Sequence, residues 1–142
     1  MLKKKGFDTF TIDYKVEWPI SLIISRKVLT QYQLLFRHLL QCKRMSRRLC
    51  EAWLNQQQTK EITASGLRPL LNRWNLLRQK MFHLVHTLER SMQYDVLEPN
   101  WVKLEARLRE ATTVEQVLNF VTDFLDTCLQ QCLLTDPRLV KV

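Results

Sequence analysis

The sequence predicts an all-α fold: a helical bundle of about four helices with a short extended N-terminal arm, forming part of a larger helical domain. Two observations carry that prediction. Only two glycines and four prolines occur in 142 residues, too few turn formers for a fold of many short strands. Over most of the chain, apolar residues recur at steps of three and four, the spacing that lines one face of an α-helix. With 46% apolar and 25% charged residues, the composition is that of a globular protein and not of a disordered one.

The elements follow in order. Phe10, Ile12, Tyr14, Val16 and Trp18 alternate with the period of a strand, which predicts a short strand or an extended arm packed on the helices. Pro19 restrains Trp18 to extended geometry and marks the turn beyond it. A first long helix then begins between Ser21 and Arg26 and runs to about Asn55, with Leu29, Tyr32, Phe36, Leu39, Cys42, Leu49 and Trp53 along one face. Residues 56–65 are polar and read as a connecting loop. Pro69 suits the first turn of a second helix, where its missing N–H costs nothing. The apolar stripe of that helix is Leu67, Leu70, Trp74, Leu77, Met81, Leu84, Leu88 and Met92, ending near Tyr94 or Val96.

Pro99 is expected to end this run and open a third, shorter helix with Trp101, Leu104 and Leu108 inward. Thr113 and Gln116 have the spacing of a capping box ahead of a fourth helix, whose stripe is Val114, Val117, Leu118, Val121, Phe124, Leu125, Cys128 and Cys132. Asp136 and Pro137 look like the cap and first turn of another helix, the pattern expected of a piece of a longer domain. The aromatics at helical spacing (Tyr32, Phe36, Trp53, Trp74, Trp101 and Phe124) are expected in the core.

Charge points to an acidic partner. Lys and Arg number 22 against 14 Asp and Glu, a net charge of +8, which suits nucleic acid or an acidic protein surface. The excess concentrates on the outer face of the first long helix, at Arg37, Lys43, Arg44, Arg47 and Arg48, with no acid until Glu51. Lys43, Arg44, Arg47 and Arg48 form the candidate protein-binding site. A solvated helix face is the plain alternative, and a nucleic-acid interface is disfavoured because the nearby aromatics fall on the apolar side.

No catalytic motif is present. Gly6 and Gly66 cannot build a phosphate loop, no nucleophile elbow occurs, and His38, His83 and His86 lack a zincin pattern. No cofactor is expected. Cys128 with Cys132, and His83 with His86, have helical spacings that could share a metal, but no zinc knuckle accompanies them and no metal site is expected. Cys42, Cys50, Cys128 and Cys132 read as reduced, buried thiols. The longest uncharged apolar run is far shorter than the ~20 residues of a membrane span, so no membrane partner is expected.

Four ordered blocks then suggest a family. DYKVEWPISLIISRKVLTQYQLLFRHLLQCKRMSRRLCEAW, the EPNW of DVLEPNWVKLEARLREATTVEQVL, and FLDTCL with CLLT in FLDTCLQQCLLTDPRL resemble, in that order, the C-terminal (second GRIP) domain of the gamma-tubulin complex components. The chain departs from the family pattern at 89–91 and at 119–122, where an aromatic pair and a histidine are usual. The resemblance implies that residues 1–142 are the N-terminal portion of the gamma-tubulin-binding domain. It also implies a non-enzymatic scaffold whose partners are gamma-tubulin and the other complex components. The expected location is the cytoplasm and cytoskeleton, at a microtubule-organising centre, centrosome or spindle pole. A basic nucleic-acid-binding domain, or a structural helical piece without activity of its own, are the alternatives.

Overall fold

The computed structural model describes residues 10–59 and 68–134, together with Gly6. Four α-helices are found there: α1 (Arg26–Thr59), α2 (Arg68–Arg90), α3 (Glu98–Glu110) and α4 (Val114–Gln131). No strand occurs among the described residues, so the all-α expectation holds. The chain divides into two compact units. One comprises residues up to His38 and from Tyr94 onward, and the other comprises Leu39–Gln93.

In the first unit the arm takes the extended and not the strand alternative. Its backbone is irregular from residue 10 to 17. Side chains tie it to the start of α1. Asp13 accepts from the Arg26 guanidinium at 3.1 Å, the Gln33 amide donates to the Ile12 carbonyl at 3.1 Å, and Phe10 lies 6.1 Å from Phe36. A 3-10 turn, Ile20–Leu22, follows Pro19, and the Leu29 N–H donates back to the Ser25 carbonyl as α1 begins. Helix α1 runs past the expected Asn55 to Thr59, because Gln56 and Gln57 are good helix formers despite their polarity. Residues 60–67, most of the expected loop, lie outside the described residues, as does the helix expected from Asp136.

Pro99 does not end a helix. The backbone stays helical through a π segment, Ser91–Leu97, and continues directly into α3. A wider π turn relieves the clash that a proline ring makes with the carbonyl four residues before it. Asn100 then serves the loosened backbone: its side-chain amide donates to the Val96 carbonyl at 2.8 Å. The same amide donates to the Gln131 side chain at 2.8 Å, which fixes the end of α4 against the start of α3. Val96, Asn100 and Leu104 are all buried, at steps of four.

Helix α4 begins with the capping box that the sequence predicts. The Gln116 N–H donates to the Thr113 hydroxyl at 3.3 Å, and the Thr113 N–H donates to the Gln116 side chain at 3.4 Å. Three residues link α3 to α4, so the two lie side by side, with Trp101 edge-on to Phe124 at 6.0 Å. The core of this unit is Val28, Leu35, Val96, Leu104, Val121, Phe124, Leu125, Cys128, Leu129 and Cys132, with Leu125 and Cys128 at 0% exposure. Helix α4 stops in a Schellman turn, with the Leu134 N–H on the Leu129 carbonyl and the Leu133 N–H on the Gln130 carbonyl. Leu133 takes the left-handed φ of 60° that the motif requires and that glycine usually supplies.

The aromatic expectation is overturned in part. Of the six aromatics assigned to the core only Phe124 is buried. Phe36 is half-buried, while Tyr32, Trp53, Trp74 and Trp101 are exposed. The covered row of α1 in the first unit is set by Val28 and Leu35, beside the expected stripe. In the second unit the rotation of α2 differs from expectation. Leu71, Asn75, Arg78, Phe82 and Val85 are half-buried and Glu89 and Met92 buried, while Leu70, Trp74, Leu77, Met81, Leu84 and Leu88 face out. Both rows repeat at three and four, so spacing alone cannot choose between them.

Two stability outcomes follow. Leu125→Ala should cost about 2–5 kcal/mol, whereas Trp74→Ala should change stability by less than about 1 kcal/mol; chemical denaturation of both variants checks the contrast. Leu133→Gly should raise stability by about 1 kcal/mol, since a non-glycine residue in the left-handed region costs about that much. An unchanged unfolding midpoint would count against strain at that turn.

Candidate functional site

The candidate residues Lys43, Arg44, Arg47 and Arg48 sit on two turns of α1, within the second unit. Steps of four join Lys43 to Arg47 and Arg44 to Arg48, so they form two adjacent rows on the helix surface. No acid lies between Glu17 and Glu51, and nothing within this stretch of α1 offsets their field.

The four are not equivalent. Lys43 makes an ion pair with Glu89 of α2, and the Glu89 side chain is only 10% exposed while that of Lys43 is 70% exposed. Arg44 is half-buried; Arg47 and Arg48 are exposed. The structure therefore keeps the basic cluster together and commits one of its charges to an ion pair that links α1 to α2. Sequence reading did not identify Glu89 as that partner. It is the first acid after Glu61, and the one acid on α2, which was the available signal; its separation from Lys43 made the pairing invisible to local pattern.

The cysteines lie apart from this cluster in their chemistry. All four are free thiols. Cys128 and Cys132 are buried as expected, but Cys42 is only half-buried and Cys50 is exposed. Burial pushes the Cys128 thiol up to about 11, with Cys132 adding to the shift and a hydrogen bond with Asn100 opposing it. Burial raises Cys132 as well. At Cys42, burial and the neighbouring Glu89 carboxylate both raise the pKa. Protonated thiols of this kind are poor nucleophiles and poor metal ligands.

The histidines are equally plain. His38 is half-buried and burial lowers its pKa, so it stays neutral near pH 7. His83 is exposed, and His86 stacks on Phe82 at 6.1 Å. Among the described residues no group of three or more His, Cys, Asp or Glu could hold a metal ion, and no helix is long and apolar enough to cross a membrane. A cleft of about 180 Å³ between α3 and α4 is lined by Lys103, Arg107 and Asp123 among others. The Arg107 guanidinium stands 5.7 Å over the Phe120 ring there, and the lining carries mixed charge.

Comparison with known proteins gives a consistent answer. Residues 1–142 match the family described as Gamma tubulin complex component C-terminal. The chain is 41% identical over 141 residues to Gamma-tubulin complex component 2 of Mus musculus, covering 99% of this chain and 16% of that protein. It is 40% identical over 136 residues to Gamma-tubulin complex component 2 of Arabidopsis thaliana, covering 96% of this chain and 20% of that protein. Spindle pole body component alp4 of Schizosaccharomyces pombe is 36% identical over 141 residues, covering 96% and 18% respectively. The chain thus spans a fifth or less of the length of these relatives.

Stability should fall as pH rises through the alkaline range. Cys128 has its folded pKa raised from 9.0 to about 11, so its contribution is complete below pH 9 and is lost between pH 9 and 11 as the unfolded thiol ionises first. The slope of unfolding free energy against pH in that window should be shallower in Cys128→Ala. Equal slopes in the two proteins would rule out a raised Cys128.

Proposed function

Because the chain belongs to the gamma-tubulin complex component family and matches its C-terminal domain along the whole length, we propose that it is a non-enzymatic scaffold component of the gamma-tubulin complex. In this role it binds gamma-tubulin, associates with other complex components, and supports microtubule nucleation at a microtubule-organising centre, centrosome or spindle pole. The observation that carries this reading is its relation to the mouse and plant component 2 proteins across nearly all of its residues. The spindle-pole location rests on the name of the fission-yeast relative.

The physical properties of the chain suit that role. A net charge of +8 favours approach to an acidic tubulin surface, where complementary charge raises association rates more than it deepens affinity. Arg47 and Arg48, exposed on α1, are the two members of the basic cluster best placed to engage carboxylates, which arginine binds in a forked geometry. Lys43 has a different part: it keeps Glu89 paired. Apolar contacts supply most of the binding energy in interfaces of this kind.

Binding of the purified chain to gamma-tubulin should be saturable, while binding to duplex or single-stranded nucleic acid should be weak and steeply salt-dependent. Reversing Arg47 and Arg48 together to Glu should weaken gamma-tubulin binding about tenfold or more with helicity intact. Lys43→Glu should instead lower the melting temperature, since it sets a second carboxylate against the buried Glu89, at a cost of about 1–3 kcal/mol. A folded Arg47/Arg48 double variant with unchanged affinity would remove docking from this face. Tight, saturable nucleic-acid binding without tubulin binding would favour the alternative reading.

A further inference from the structure

We draw no further inference here: the strongest candidate, the exposed apolar surface patch of Leu70, Trp74, Leu77, Met81, Leu84 and Leu88 on α2, carries nothing, because the chain spans a fifth or less of its relatives' length and nothing in the structure shows what covers it.

Discussion

A helix can bury only one stripe of side chains against one neighbour, and a pair of helices joined by a short link gives each only one neighbour. Where that single stripe carries the apolar residues, the pair closes well. Helices α3 and α4 do this. Their three-residue link, the Thr113–Gln116 capping box and the Asn100–Gln131 bond fix both ends of the pair, and Leu125 and Cys128 are sealed between them and the flanking residues Val28, Leu35 and Leu104. Helix α2 has more apolar surface than one stripe can hold. Of its own residues only Glu89 is buried, and a complete apolar row is left outside.

How much of this can be read in the sequence follows from the same constraint. The existence of all four helices is legible, because a three-and-four spacing survives whichever row is buried. The capping box is legible because it is local. The buried half of α4 is legible because that helix has a single apolar row. In α2 the rows 70, 74, 77, 81, 84, 88 and 71, 75, 78, 82, 85, 89 are both periodic, and hydropathy favours the first, whereas the second is the one covered. The π segment is invisible for another reason: it answers to the geometry on either side of Ser91–Leu97, and Pro99 by itself argues for a break.

The candidate site was legible as a cluster and not as a set of roles. Lys43, Arg44, Arg47 and Arg48 are marked by an acid-free stretch of helix, which composition shows at once. Which of them is already engaged depends on Glu89, which lies on a different helix. Local charge pattern identifies a field; it takes the non-local partner to show that Lys43 is paired with Glu89 of α2.

The rotation of α2 can be weighed directly. Turning the helix by one residue, about 100°, would cover the six side chains now exposed. Each is about half out, so covering the row would gain roughly 1 kcal/mol per residue, or roughly 6 kcal/mol in all, at about 25 cal/mol per Å². Against this stands the Lys43–Glu89 pair, which with a largely exposed lysine contributes about 1 kcal/mol or less, and the apolar members of the inner row, Leu71, Phe82, Val85 and Met92. Two of the inner positions, Asn75 and Arg78, are polar and gain little from cover. The ion pair therefore cannot select the observed rotation by itself, and the inner row recovers only part of the difference. The row that is covered is therefore the more polar of the two, and the more apolar row stands exposed among the described residues.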